Sequence, residues 1–247
     1  MTTLREAKAI LDWHLGRARW IFIHIPKNAG VSIRKSPQLA GRLLSAEPYF
    51  LKDRQYVRAV STTMSEAGEH HGLQHARWRD VHPNVTDQLQ AVAVVRNPWA
   101  RTYSRWRFAQ LAARQGKIDT SKVAQTFEDF LEERHVYGGR KYYWHRAIHG
   151  WYPQVDYVTD EAGNLRADVL RLEFLGEEAM TYFGLSEPPR KRNASNKPKL
   201  MQDGKGGYRE AFTKETIQTV ADWYASDIDF FGFDFDGPAT KNVAVGA

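Results

Sequence analysis

Two short apolar runs, each closed by a proline-containing polar motif, constrain the fold of this 247-residue chain more than any other feature. Residues 20–25 (WIFIHI) stop at Pro26, and residues 89–95 (LQAVAVV) stop at Arg96-Asn97-Pro98. Continuous apolar runs of this length are typical of parallel strands that are buried on both faces. Because helical spacing alternates with the strand-like runs, we predict an α/β fold with a central, mainly parallel sheet flanked by helices.

Further elements are predicted from periodicity and capping residues. They are a short helix within residues 1–18, a helix that starts near Trp99, a short helix at residues 126–133, strands at residues 156–159 and 168–172 around a turn at Gly163-Asn164, and a helix N-capped by Thr213. Residues 187–209 are basic and rich in Pro and Gly, which favours a loop. We expect one domain over residues 1–247, with a core of about 20–235 and a flexible tail at about 236–247.

Composition narrows the possible chemistry. The chain has no cysteine, which excludes disulfides, thiol catalysis and cysteine-ligated metals. The net charge of +6 suits anionic ligands without identifying one. The first 19 residues are mixed and charged, unlike a signal peptide, and no window approaches the roughly 18 apolar residues of a membrane span. We therefore expect a cytoplasmic protein without a membrane anchor.

The first polar motif, Pro26-Lys27-Asn28-Ala29-Gly30-Val31-Ser32, has the physics of a phosphate-binding loop. Ala29 and Gly30 permit a close approach of the backbone, and Ser32 lies in the first turn of the expected helix, where amides favour an anion. Lys27 adds a positive charge. The pattern is not a Walker loop, because Lys27 precedes the glycine. An ordinary strand-to-helix turn with a solvated lysine is the alternative interpretation.

The second polar motif starts at Arg96-Asn97-Pro98 and continues into a helix. Arg96 is expected at the end of the strand and Ser104 about two turns into the helix, so that guanidinium and hydroxyl could grip one phosphate. Alternatively, Arg96 and Arg101 form structural ion pairs while the tryptophans of the segment simply pack.

Together the two motifs resemble those of the sulfotransferases that use 3'-phosphoadenosine 5'-phosphosulfate (PAPS). The likeness is greatest to the Golgi and bacterial carbohydrate-sulfotransferase-like branch, in which one strand runs into Pro-Lys-x-Ala-Gly-x-Ser and a later strand into Arg-Asn-Pro-x-x-Arg-x-x-Ser. Similar segments follow in the same order at residues 153–157, 172–173, 193–195 and 208–233, so that the resemblance covers roughly residues 20–235. It implies a P-loop-like fold. Val31 departs from the family, which usually has threonine there, so one hydroxyl contact to the 5'-phosphate is missing.

The resemblance implies a role for each motif. Lys27 would neutralise charge on the leaving group, and the loop from Asn28 through Val31 to Ser32 would hold the 5'-phosphate. Arg96 and Ser104 would hold the 3'-phosphate. The acceptor would be a hydroxyl of a carbohydrate or another small metabolite, transfer would proceed in line, and neither a metal nor a nucleic acid would take part.

The base for the acceptor hydroxyl is expected to be a histidine. Residues 69–77 contain three, of which His75 is preferred and His71 is second; surface histidines are the alternative. His24 is expected to be a core histidine, and a metal pair of His145 with His149 is rejected for want of a third ligand. Lys205, in a Gly-rich basic loop, is a further candidate phosphate contact.

Three other functions remain open. A small P-loop kinase would need a Gly-Lys-Ser/Thr loop and acidic magnesium ligands, which are not evident. A basic nucleic-acid or glycan-binding module would show exposed aromatic residues within one positive patch. A family member that binds PAPS or its product without transferring sulfate is the third, and Val31 keeps it open.

Overall fold

A computed structural model describes residues 4–145, 150–190 and 207–245 of the chain. Its central sheet has four parallel strands in the order β2-β1-β3-β4. The strands are β1 (Trp20–Ile23), β2 (Leu43–Ser45), β3 (Gln90–Val95) and β4 (Asp168–Arg171). The prediction of an α/β fold with a parallel sheet is thereby confirmed.

Ten α-helices surround the sheet in the described residues. They are α1 (Leu4–His14), α2 (Gly30–Arg34), α3 (Arg54–Glu66), α4 (Pro83–Thr86), α5 (Pro98–Arg114), α6 (Phe127–Tyr137), α7 (Val155–Val158), α8 (Leu175–Phe183), α9 (Lys214–Trp223) and α10 (Ala225–Phe231). Several one-turn 3-10 helices connect them, including residues 73–75 and 143–145.

The sheet separates two apolar cores because successive side chains of a strand point to opposite faces. In β3, Ala93 and Val95 face the larger core, whereas Val92 and Val94 face the smaller one. Helices α3, α5, α6, α9 and α10 contribute to the larger core, and α2 and α8 contribute to the smaller. Both faces are therefore covered, as the unbroken apolar runs of the sequence predict.

Helix termini follow the capping residues. Thr126 and Thr213 each accept a hydrogen bond from the backbone three residues later, as N-caps do. The helix predicted from Thr213 onward is interrupted at Tyr224, which separates α9 from α10. Helix α2 ends at Arg34, before Pro37 opens a 3-10 turn, in line with the inability of proline to continue a helix.

Two segments differ from the prediction. Instead of the strand predicted at residues 156–159, the chain forms the helical turn α7 (Val155–Val158), because Asp227 accepts a hydrogen bond from the amide of Val155 and the buried Tyr157 donates to the carbonyl of Trp144. Residues 236–245, expected as a flexible tail, pack against the sheet: Ala239 is buried and the amide of Ala244 donates to Val169 O.

The predicted loop at 187–209 lies mostly outside the described residues, at 191–206. Its last part, from Tyr208, forms a 3-10 turn that continues to Ala211. Within the described ranges, no helix has the length and apolar character needed to cross a bilayer.

Candidate functional site

The two polar motifs follow neighbouring parallel strands, so that they meet at the same edge of the sheet. Ile23 of β1 pairs with Ala93 of β3, and each strand then leads directly into its motif. The two loops touch, since Arg96 Nη1 lies 3.4 Å from the backbone oxygen of Lys27. This edge, beyond the carboxyl ends of the strands, is where open α/β sheets usually bind ligands.

The first loop makes its turn with two residues in the left-handed region. Lys27 has φ 68° and Ala29 has φ 55°, after which α2 begins at Gly30. A Cβ atom at Gly30 would lie only 1.9 Å from Nε2 of His24. The glycine is therefore required by the packing of the protein itself, in addition to any approach of a ligand.

Asn28, Val31 and Ser32 occupy different environments in this loop. Asn28 is buried, and its Nδ2 donates to Val94 O at 2.8 Å and to Gln154 Oε1 at 2.6 Å. Its Oδ1 has no hydrogen-bond partner among the described residues. Ser32 is buried in α2 and Val31 is half-buried beside it. The side-chain amide of Asn28 thus holds the loop against β3, which leaves its backbone for contact with a ligand.

Lys27 carries an unusual charge environment. Its side chain is half-buried, and Nζ lies 3.8 Å from the ring centre of Phe108. Burial lowers the pKa of Lys27 to about 7, with further contributions from the positive charges of Arg96 and Arg105. An anion bound at this position would relieve that repulsion.

The second motif is anchored through Asn97, the N-cap of α5. Its Oδ1 accepts from the amides of Trp99 and Ala100, both at 3.1 Å. Its Nδ2 donates to the backbone oxygens of residues 234, 235 and 237, and its own amide donates to Glu173 Oε1 at 3.0 Å. Asn97 therefore fixes the start of α5 and, with it, the position of Arg96.

In the part of the chain that the structure describes, the side chains of Arg96 and Ser104, which were expected to bind one phosphate together, are not in contact through a hydrogen bond. Arg96 is half-buried, and burial lowers its pKa to about 10 although Glu173 acts to raise it. Ser104 is half-buried on α5, and within the described residues no hydrogen bond joins it to Arg96.

Two further arginines on α5 are completely buried, which the sequence interpretation did not foresee. Arg101 donates to Pro26 O at 3.2 Å and to Tyr152 O at 3.1 Å, and its Nη2 has no partner among the described residues. Arg105 donates to the hydroxyl of Tyr224 at 3.1 Å, and burial lowers its pKa to about 10. Among the described contacts Arg101 forms no ion pair, in contrast to the alternative interpretation of the sequence.

Gln154, also fully buried, joins both motifs to the C-terminal helices. Its Oε1 accepts from Asn28 Nδ2 and from the amide of Arg96, and its Nε2 donates to Arg96 O at 2.8 Å and to Asp227 Oδ2 at 3.2 Å. Burial raises the pKa of Asp227 to about 6, while Arg101 acts to lower it. One glutamine thus sets the spacing between the loop after β1 and the loop after β3.

His75 lies beside these loops in a defined tautomer. It is buried, its ring centre is 4.3 Å from that of His24, and its Nδ1 donates to His24 O at 2.7 Å. Since a carbonyl only accepts, the proton is on Nδ1 and Nε2 retains its lone pair. Burial lowers the pKa of His75 to about 3, so the ring is neutral and has an acceptor nitrogen.

His71 has the opposite tautomer. Its Nδ1 accepts a hydrogen bond from the amide of Leu73 at 3.0 Å, so the neutral ring carries its proton on Nε2. This arrangement leaves His71 without a free lone pair and favours His75 as the base. His24 is the expected core histidine: it is buried, and its Nδ1 accepts from Arg34 at 3.1 Å.

The remaining candidates from the sequence are Lys205 and the pair of His145 and His149. Lys205 and His149 lie outside the described residues, so neither the predicted phosphate contact nor the spacing to His145 is described. His145 is fully buried and shares a 2.5 Å hydrogen bond with the hydroxyl of Tyr56. The described residues contain no group of three His, Cys, Asp or Glu side chains arranged to hold a metal ion.

Comparisons with known proteins supply no relative. No family model, curated protein or solved structure matches the chain. Conclusions about function therefore depend on the geometry and charge of the site.

Proposed function

We propose that this chain is a sulfotransferase that moves the sulfuryl group of PAPS to a hydroxyl acceptor. The observation that carries the proposal is a concentration of positive charge where β1 and β3 end. Lys27, Arg96 and Arg105 all have pKa values lowered by burial, and Arg96 and Arg105 lower that of Lys27 further. Burial and mutual repulsion disfavour the protonated forms of these side chains, and a bound polyanion would stabilise those forms. The cluster of cations therefore favours the binding of a polyanion.

The two motifs suit the opposite ends of one doubly phosphorylated nucleotide. In the proposal the loop of residues 27–32 receives the 5'-phosphosulfate, and Arg96, with Ser104, receives the 3'-phosphate. Gln154 supports this assignment because it holds both loops at a constant separation. We also infer that the sheet and the loop after β1 form a P-loop-like arrangement, in which the loop precedes a helix.

In the proposed transfer step His75 acts in its neutral form and Lys27 in its protonated form. The acceptor hydroxyl attacks sulfur and gives its proton to Nε2 of His75, as the bond between sulfur and the bridging phosphate oxygen breaks. The electron pair of that bond remains on the phosphate, where protonated Lys27 neutralises it. The products are a sulfate ester, adenosine 3',5'-bisphosphate and protonated His75. Positioning and electrostatics supply most of the catalysis in this type of reaction.

The pKa of His75 is consistent with this role only when the donor is bound. In the free protein, burial keeps the pKa of His75 at about 3, with Arg34 and Arg101 among the other causes that lower it. Negative charge on a bound donor acts in the opposite direction and raises the pKa. The base is therefore expected to gain strength as PAPS fills the site.

Binding of adenosine 3',5'-bisphosphate tests the proposal directly by isothermal titration calorimetry. We expect Lys27→Ala and Arg96→Ala each to weaken binding by roughly 10- to 150-fold, since a hydrogen bond to a charged group contributes about 1.5–3 kcal/mol. Arg58→Ala, at an exposed position on α3, is the matched control and should bind as the wild type does. Absence of measurable binding to the wild-type protein would refute the proposal.

Transfer is measured separately with labelled PAPS and a panel of hydroxylated acceptors. His75→Ala should bind the bisphosphate normally but lose most of its transfer activity, because general-base catalysis contributes about 10²–10⁴-fold. Transfer of phosphate from ATP to the same acceptors, abolished by EDTA and restored by magnesium, would instead favour a kinase-like enzyme. Binding without transfer to any acceptor would identify a nucleotide-binding protein that lacks the activity.

A further inference from the structure

A cleft of about 310 Å³ lies next to the proposed site, and its walls are mainly aromatic. The aromatic members are Tyr56, Tyr142, Trp144 and Tyr152. Tyr56 and Tyr142 meet edge to face with ring centres 5.1 Å apart, and Trp144 and Tyr152 lie 5.3 Å apart. A volume at the lower end of the usual range for small-molecule pockets suits a ligand of one or two rings.

Two contacts place the cleft beside the reacting groups. The hydroxyl of Tyr56 bonds to His145, and the turn that contains His145 packs against the turn that contains His75. On the other side, the backbone oxygen of Tyr152 accepts from Arg101, which also bonds to Pro26 O immediately before Lys27. His75 and Lys27 do not themselves line the cleft, but its walls connect to His75 through the turn of His145 and to the donor loop through Arg101.

Three of the polar side chains on the walls, those of Tyr56, Tyr152 and Arg77, are already engaged. The hydroxyl of Tyr152 donates to Arg140 O at 2.7 Å. Arg77 uses Nε and Nη2 for Asp80, both at 2.9 Å, and its guanidinium lies 3.2 Å from the ring centre of Trp144. Because a buried sugar ring needs a partner for nearly every hydroxyl, walls that leave only three of the described polar side chains unengaged disfavour a pyranose.

The remaining polar groups are Tyr142, Asp156 and Lys141. Among the described residues, the hydroxyl of Tyr142 has no hydrogen bond, and neither Asp156 nor Lys141 is in an ion pair. Lys141 is exposed at the mouth, with Nζ 4.8 Å from the ring centre of Tyr142. Tyr142 also has φ 66°, a strained value for a bulky residue and one that clusters at functional sites.

We propose that this cleft binds the acceptor, and that the acceptor is a phenol that carries an anionic substituent. Its ring packs against the aromatic walls, its hydroxyl faces His75, and its anion contacts Lys141 at the mouth. The inference rests on the proposed sulfotransferase function and narrows its acceptor class, for which the sequence resemblance favoured carbohydrates. A phenol needs few hydrogen bonds and offers the large apolar surface that these walls accept.

The test compares three acceptors under identical conditions with labelled PAPS: 4-hydroxybenzoate, phenol and glucose. We expect kcat/KM to be highest for 4-hydroxybenzoate, lower for phenol, and at least tenfold lower again for glucose. Lys141→Gln should reduce kcat/KM for 4-hydroxybenzoate roughly three- to fivefold through KM, the size of an exposed ion pair, and leave phenol unchanged. Lys122→Gln, at another exposed lysine, is the matched control.

Binding of 4-hydroxybenzoate without PAPS is followed through tryptophan fluorescence, since Trp144 forms part of the cleft. Weaker binding to Lys141→Gln than to Lys122→Gln supports the assignment. Equal binding to both variants, or glucose turned over as efficiently as the phenols, overturns it. If adenosine 3',5'-bisphosphate binds but no phenol is sulfated, only the acceptor assignment fails. If the bisphosphate does not bind, the sulfotransferase proposal fails as well.

Discussion

The pH dependence of nucleotide binding tests the electrostatics of the site through one side chain, Lys27. Burial, with the positive charges of Arg96 and Arg105, lowers its pKa to about 7. About half of the unliganded molecules therefore carry a neutral amine at pH 7. Because an anion binds the protonated form more tightly, the apparent affinity for adenosine 3',5'-bisphosphate should fall as the protonated fraction falls.

The size of the expected change in Kd follows from the pKa of Lys27. Between pH 7 and pH 9 the protonated fraction of Lys27 falls from about one half to about one hundredth, and the neutral form should bind as weakly as Lys27→Ala does, so the Kd should rise roughly 10- to 40-fold. The phosphates of the ligand contribute little to this change, because their second pKa lies near 6. Lys27→Arg keeps its charge throughout, and its Kd should change by less than about twofold. Isothermal titration calorimetry at pH 7, 8 and 9 measures both proteins.

Stability without a ligand supplies an independent check on the same pKa. A lysine whose pKa is about 7 when folded and about 10.5 when unfolded binds fewer protons in the folded state between these values. The free energy of unfolding should therefore rise with pH across that window, and Lys27→Met should lack this part of the rise in urea denaturation. A wild-type Kd that stays constant from pH 7 to 9, or an equal pH dependence in Lys27→Arg, would refute the reasoning.

Two further substitutions test how the loops are held. Gly30→Ala places a Cβ 1.9 Å from the His24 ring and should destabilise the protein by about 1–3 kcal/mol, lowering the Tm by roughly 2–12 °C. Gly139→Ala, whose Cβ would meet nothing within 4 Å, is the control. Equal Tm values for the two variants would contradict the packing argument. Asn97→Ala removes a helix cap and the bonds to three carbonyls and should cost roughly 2–4 kcal/mol in chemical denaturation, whereas Asn97→Ser, which keeps a cap oxygen, should lose less. An Asn97→Ala protein as stable as Asn97→Ser would show that the cap oxygen contributes little.

The central strands were predictable because their signal is local. Residues 21–23 and 91–95 are apolar at every position, and only strands covered on both faces tolerate such runs. The edge strand β2 spans only residues 43–45 and offers no comparable pattern. A strand was expected at residues 156–159, but contacts to Asp227 and Trp144 favour the helical turn that residues 155–158 form.

The candidate site was only partly predictable for a related reason. The positions of Lys27 and Arg96 follow from the strand ends, but the bonds of Gln154 join residues 58 to 126 positions apart, and no local pattern reports them. Arg101 and Arg105 offered a weak signal, since they share a face of α5 and lie between aromatic residues. Their complete burial depends on residues much later in the sequence, such as Tyr224 between α9 and α10.

The anchoring of Asn97 has a consequence for the order in which the protein is assembled. Its side-chain amide donates to the carbonyls of residues 234, 235 and 237, some 140 positions further along. During synthesis the second loop therefore emerges from the ribosome long before its anchor exists, and a fragment that stops short of Gly237 lacks part of that anchor. Contacts this distant in sequence form late and slow the folding reaction. Competence to bind nucleotide should consequently be among the last properties that a newly made chain acquires.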